Sequence, residues 1–195
     1  MKKFVLASKN KHKAQEIKEI LGSEYEIVTM DEAGIGDLEI IEDGATFEEN
    51  AAKKAAQVYN AVKLPTIADD SGLCVDYLNG APGIYTARFA GENAADEDNI
   101  NKLLSELDGI EHEKRTAKFV CVIAFIDGKT DKPQFFRGEC CGYIWKEKWG
   151  EDGFGYDPVF YYPEFETTFA MLSPEQKNSV SHRFRALKSF ADNLK

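Results

Sequence analysis

Short apolar runs alternate with amphipathic stripes at the start of this chain, and that alternation restricts its fold more than any other feature. Residues 4–7 read as a buried strand. Ala14, Ile17, Ile20 and Leu21 then recur at helical spacing, and Gly22 ends the stripe. Residues 25–29 read as a second strand. Phe47, Ala51, Ala55, Val58 and Val62 form a second stripe, opened by Thr46-Phe47-Glu48-Glu49 at capping-box spacing. Pro65 follows, and Thr66-Ile67-Ala68 climbs into Asp69-Asp70-Ser71-Gly72, so that two carboxylates close the strand, with 72–75 continuing beyond them. Strands alternating with helices predict an α/β fold.

The texture then changes. Asp96 is the expected cap of a third helix carrying Ile100, Leu103, Leu104 and Leu107. The β-branched and aromatic runs 119–126 and 134–145, with a turn at Asp127-Gly128, predict an antiparallel hairpin and hence a mixed sheet. Ser173-Pro174-Glu175-Gln176 is a helix start. A final helix carries Phe184, Leu187, Phe190 and Leu194, capped by Ser179 or Ser181.

Length and composition narrow the class. A chain of 195 residues that is 43% hydrophobic suits a single domain over 1–195 with a real core. It has no apolar stretch of roughly 18 residues, so no membrane helix is expected, and its short apolar start does not read as a signal peptide. The expected location is cytoplasmic. The four cysteines show no Cys-x-x-Cys pair and read as reduced thiols. A net charge of -10 argues against broad nucleic-acid binding, though a small anion remains compatible with it.

Four constellations carry candidate chemistry. Ser8-Lys9-Asn10-Lys11-His12-Lys13 joins a strand to a helix, where free N–H groups, a hydroxyl, an amide and lysines suit phosphate; a capped helix start explains the same residues. Glu42 and Asp43, with Asp69 and Asp70, are oxygen ligands of the kind a hard divalent cation prefers, if they meet in space. Gly153-Phe154-Gly155-Tyr156-Asp157-Pro158 sets an aromatic between glycines, which fits either a base-stacking platform or a turn with a core Phe. Lys177 through Arg183 reads as the opening of the last helix, where His182 and Arg183 oppose the helix dipole.

In this order the four constellations resemble the inosine triphosphate pyrophosphatase family, whose members are XTP/dITP diphosphatases. The likeness runs from Phe4 to about Leu194 through Ser8-x-Asn10-x-x-Lys13, Ala68-Asp69-Asp70-Ser71-Gly72-Leu73, Gly153 to Pro158, and Ser181-His182-Arg183. The resemblance implies an elongated mixed sheet flanked by helices, with two lobes and a nucleotide cleft between them. It also implies a homodimer, Mg²⁺, and hydrolysis of ITP, dITP or XTP to the monophosphate and pyrophosphate. It assigns Asp70 as general base and metal ligand and Glu42 as a further metal ligand. Ser8, Asn10 and Lys13 would hold the phosphates, Lys9, Lys11 and His12 of the same loop would belong to the substrate-binding set, and Ser71 would touch the substrate. Phe154 would stack on the base, flanked by Gly155 and Tyr156, while Asp157, Lys177, His182 and Arg183 would bind base and sugar. Many relatives have Thr-Gly-Asn where this chain has Ser8-Lys9-Asn10; a positive φ there would strain Lys9. A Maf-like pyrophosphatase of other base preference and a non-catalytic nucleotide sensor are the rival readings, opposed respectively by the Ser181-His182-Arg183 site and by the acid pair.

Overall fold

A computed structural model describes residues 2–130 and 132–194. Seven strands form one sheet in the order β2-β1-β3-β4-β5-β6-β7. They are β1 Lys2–Leu6, β2 Tyr25–Val28, β3 Thr66–Val75, β4 Thr116–Ile126, β5 Gln134–Ile144, β6 Phe160–Tyr162 and β7 Thr167–Thr168. The helices are α1 Lys11–Leu21, α2 Phe47–Val62, α3 Asp96–Glu106, α4 Pro174–Val180 and α5 His182–Asn193. β1 pairs in parallel with β2 and β3, and β6 pairs antiparallel with β5 and β7, so the sheet is mixed as expected. The link 127–133 reaches at most ~25 Å. That is less than the ~36 Å length of an eleven-residue strand, so adjacent β4 and β5 run antiparallel.

The chain condenses into two compact units: one of residues 1–70, 121–138 and 182–195, the other of 71–120 and 139–181. In the first, Ala14, Ile17 and Leu21 of α1 and Ala186, Leu187 and Phe190 of α5 share a core with Phe4, Leu6, Ile67, Cys121, Ile123 and Phe125. These strand residues alternate along their strands, so they face one side of the sheet. In the second, Ile100, Leu103 and Leu107 pack with Leu73, Val75, Phe119, Tyr156, Phe160 and Phe169.

Local chemistry sets the element ends, with several departures from the sequence reading. Gly22, at φ 63°, stops α1. Thr46 caps α2 by accepting from the Glu49 N–H at 3.1 Å, while Glu49 reaches back to the Ala45 N–H at 2.7 Å, one residue beyond the usual box partner. The cap position of α3 is Ala95, not Asp96, and Asp98 accepts from the Ala95 N–H at 2.9 Å. Ser173 and Gln176 complete the box on α4 with bonds of 3.2 and 2.9 Å. That helix ends at Val180, so Lys177 lies on a helix of its own rather than on the last one. Phe184 of α5 is only half-buried, and Leu194, half-buried as well, lies just past the end of that helix rather than on it.

Candidate active site

The acid pair is not at a strand end. Asp69 and Asp70 sit inside β3, which continues without a turn to Val75. Aspartate is a poor strand residue, but here both carboxylates are buried and paired, and that tertiary pairing overrides propensity. Neighbouring strand residues point to opposite faces, so the two acids enter different environments.

Asp69, 1% exposed, shares its face with Ile67, α1 and α5. Lys13 Nζ donates to its Oδ1 at 2.7 Å, and Arg183 Nε donates to its Oδ2 at 2.8 Å. The Cys121 thiol donates to Oδ2 at 3.2 Å, and a second Arg183 nitrogen bonds Glu16 on α1. Burial by itself would raise Asp69, but Arg183 and Lys13 outweigh it and hold the carboxyl well below the usual range. Burial also pushes the Cys121 thiol well up, with Asp69 beside it adding to the effect. Asp69 is thus held in its anionic form between the two cations it bonds. Close approach of α5 requires Gly138 on β5, because a Cβ there would collide with the His182 carbonyl oxygen.

Asp70 faces α2. Lys54 Nζ donates to Asp70 Oδ1 at 2.6 Å and to Glu42 Oε2 at 2.9 Å. Burial pushes the Asp70 carboxyl up, and Lys54 and Lys13 offset only part of that rise. Burial disfavours the Lys54 ammonium, but Asp70 and Glu42 outweigh it and raise the group, so it stays charged. Glu42 and Asp70 therefore meet, whereas Asp43 turns to Lys53 at the surface. Among the described residues no cluster of three or more His, Cys, Asp or Glu side chains converges as a metal cage. Two carboxylate oxygens within reach of one cationic nitrogen do fit a hard divalent cation that takes its other ligands from phosphate and water.

The strand-to-helix loop is arranged for anions. Ser8 Oγ accepts from the Asn10 N–H at 3.2 Å, and Asn10 Oδ1 accepts from the Lys13 N–H at 3.0 Å. Both caps use oxygen as acceptor, which leaves the Ser8 hydroxyl proton and the Asn10 amide nitrogen as donors. The first turn of α1 holds Lys11, His12 and Lys13 and no acid, against the helix dipole. Lys13 of this loop bonds Asp69, while the Lys9, Lys11 and His12 side chains are exposed. Lys9 is not among the described non-glycine residues with positive φ, so the strain expected there is absent.

A second polar group lies in the other unit. Asp157 Oδ2 accepts from Lys177 Nζ at 2.6 Å and from the Phe154 N–H at 2.9 Å. Lys177 Nζ stands 4.7 Å from the Phe154 ring centroid. Gly153, at φ 83°, has no room for a Cβ against the Asp157 carboxylate. Asp96 Oδ2 accepts from the Gly155 N–H at 2.6 Å, and the Tyr156 hydroxyl donates to the Thr86 carbonyl at 2.9 Å. Burial pushes the Tyr156 phenol well up, with the Thr86 bond opposing and Asp96 adding. Ser71 follows Asp70 on β3 and is half-buried.

Asp157, Lys177 and Phe154 are thus brought together, as are Glu42 and Asp70. His182 and Arg183 open α5 in the first unit, and Arg183, 1% exposed, is engaged with Asp69 and Glu16. Glu16, Lys54 and Cys121 are site residues that the sequence reading passed over. Lys54 carried a signal: it is the one charged residue on the apolar phase of α2, beside Ala51, Ala55 and Val58.

An open mixed sheet bearing buried acid–ammonium pairs beside a cationic strand-to-helix loop defines an α/β protein of the phosphate-handling type. The profile of the Ham1 family matches residues 4–193, and this chain belongs to that family. It is 48% identical over 202 residues to the dITP/XTP pyrophosphatase of Clostridium perfringens, covering 100% of this chain and 98% of the relative. It is 48% identical over 196 residues to the protein of that name from Geobacter sulfurreducens, covering 100% and 97%. Among solved structures, the Ham1 protein of Staphylococcus aureus superposes with a TM-score of 0.87 at 45% identity, covering 100% of both chains. A HAM1 protein of Coxiella burnetii gives 0.89 at 40% identity, covering 100% and 98%.

Proposed function

We propose that this chain hydrolyses the deaminated purine nucleoside triphosphates ITP, dITP and XTP to the monophosphate and pyrophosphate. Membership of the Ham1 family and the name dITP/XTP pyrophosphatase borne by full-length relatives support the reaction. The observation that carries the mechanism is Asp70: a buried carboxylate whose pKa is pushed up by burial, held by Lys54, which also bonds Glu42. A carboxylate raised in this way is a better proton acceptor than an exposed one. Asp70 takes a proton from water as the water oxygen bonds the α-phosphorus. The bond from that phosphorus to the bridging oxygen breaks, and pyrophosphate leaves with the electron pair.

Glu42 and Asp70 would hold a divalent cation, Mg²⁺, which would supply charge neutralisation at the phosphate oxygens. Ser8, Asn10 and the first N–H groups of α1 bind phosphate, Lys13 adds a charge fixed by Asp69, and Lys9, Lys11 and His12 add field. Ser71 contacts the same substrate. Phe154 stacks on the base, on the loop of Gly155 and Tyr156, and Asp157, Lys177, His182 and Arg183 serve base and sugar. Lysine donors favour a 6-oxo acceptor over the 6-amino donor of adenine. No described helix is long and apolar enough to cross a membrane; the proposed setting is the cytoplasm, the proposed assembly a homodimer and the proposed partner the nucleotide alone, with no nucleic acid.

The test is product identity on a panel of ITP, dITP, XTP, GTP and ATP with Mg²⁺ present. We expect pyrophosphate and monophosphate from the first three and no orthophosphate. A nucleoside diphosphate product, or ATP turned over as efficiently as ITP, contradicts the reading. Exhaustive chelation is expected to abolish turnover.

A further inference from the structure

Lys54 is the residue whose placement the proposed reaction does not by itself explain. It is 5% exposed and projects from the core-facing side of α2. Its ammonium bridges the two carboxylates that the reading above gives to a divalent cation, at 2.6 Å from Asp70 and 2.9 Å from Glu42. A Lys this buried is uncommon unless it is paired, and here both of its recorded partners are those carboxylates.

We propose that Lys54 is a resident counter-ion: its ammonium holds the Glu42–Asp70 pair together in the absence of metal, is displaced from between them when a divalent cation binds, and then faces the substrate's phosphates. The inference rests on Glu42 and Asp70 being the metal carboxylates. Three features support it. Two carboxylates brought together in a buried site repel, and one ammonium compensates one of the two charges, whereas a divalent cation compensates both. Carboxylates prefer a hard cation at distances near 2.0–2.1 Å for Mg²⁺, shorter than either bond to Lys54, so the two occupants compete for the same oxygens. Glu42 is free to adjust, since its side chain is 41% exposed on an irregular loop, while Asp70 is 10% exposed within β3. The ammonium cannot leave the neighbourhood, because its stem is fixed in the buried face of α2. Displacement therefore delivers a positive charge beside the cation, where a triphosphate brings oxygens to receive it. The arrangement keeps the unliganded acids from repelling one another and makes metal binding weak until phosphate arrives.

The experiment measures Mn²⁺ binding to nucleotide-free protein, by the electron paramagnetic resonance of free Mn²⁺, for wild type, Lys54→Met, Lys54→Arg and Glu42→Gln. We expect Lys54→Met to bind at least about tenfold more tightly than wild type, Lys54→Arg to bind no more tightly, and Glu42→Gln to lose binding. Equal or weaker binding by Lys54→Met, with Glu42→Gln still abolishing it, overturns the exchange and leaves the metal assignment standing. Binding unaffected by Glu42→Gln, or absent from every protein, overturns both. Wild type supplies a readout that does not depend on the variant folding: the Lys54 ammonium resonance in nitrogen-15 spectra is expected to shift with Mg²⁺, reaching half of its full shift at the binding midpoint. A resonance unmoved while the metal binds also overturns the exchange.

Discussion

Lys54 Nζ on α2 stands 2.6 Å from Asp70 Oδ1 on β3, while Asp69, the next residue back, is bonded by Lys13 and Arg183 from the helices of the other face. One dipeptide in an extended strand thus feeds two charge networks. Strand alternation separates them, and their chemistry differs accordingly. Asp69 is held ionised by two cations, which suits a fixed support; Asp70 is raised by burial, which suits a group that accepts a proton.

Asp70→Asn is expected to lower the rate of pyrophosphate release by two or more orders of magnitude, since general base catalysis contributes roughly 10²–10⁴-fold. The amide keeps the shape but takes no proton and is a poorer metal ligand. The measurement is steady-state turnover of ITP with saturating Mg²⁺, alongside a circular dichroism spectrum matching wild type. Turnover near wild type would remove Asp70 from the chemical step.

Asp69→Asn is expected to show a different profile. Removing one partner of a buried ion pair costs about 3–5 kcal/mol, and here it leaves Arg183 with Glu16 but without Asp69 and releases Lys13. Urea denaturation should report a large loss of stability, and KM for ITP should rise as Lys13 loses its anchor. A variant as stable as wild type would show that Arg183 finds its compensation elsewhere.

The Lys177–Asp157–Phe154 group should govern base choice rather than the chemical step. Lys177→Met is expected to lower kcat/KM for ITP by tenfold or more while changing ATP little, because the lost donor serves a 6-oxo group. Phe154→Ala should weaken all purine substrates alike, by about 1–3 kcal/mol if the ring stacks on the base. Competition assays with paired nucleotides separate the two outcomes; discrimination unchanged in Lys177→Met would place base selection on other residues.

Tyr156 makes a pH-dependent contribution to stability. Burial raises its folded pKa above the value near 10 of an exposed tyrosine. A group raised on folding stabilises the folded state fully below the unfolded value, and that contribution is lost as pH climbs beyond it. Denaturation at pH 8 and pH 11 should show wild type losing more stability than Tyr156→Phe. At pH 8 the variant should be the weaker by roughly 1–3 kcal/mol, for the Thr86 carbonyl left without its donor. Equal pH slopes for the two proteins would mean that Tyr156 ionises as freely folded as unfolded.

The sequence by itself determined the order and kind of most elements, since apolar period, caps and turn residues act over a few neighbours. The stripe Ala14–Ile17–Leu21, the Ser173–Gln176 box and the early strand–helix alternation are of this kind. It also named the residues with unusual chemistry, because motif spacing survives without coordinates. Tertiary structure decided how those residues are paired. A local reading ends a strand at Asp69-Asp70, yet cations from α1, α2 and α5 hold both carboxylates inside β3. Lys54 meets Glu42 across 12 positions of sequence, and Arg183 meets Asp69 across 114, separations at which local pattern carries no information about contact. The protonation bias that distinguishes Asp69 from Asp70 arises from burial and through-space charge, and both exist only once the chain has closed around them.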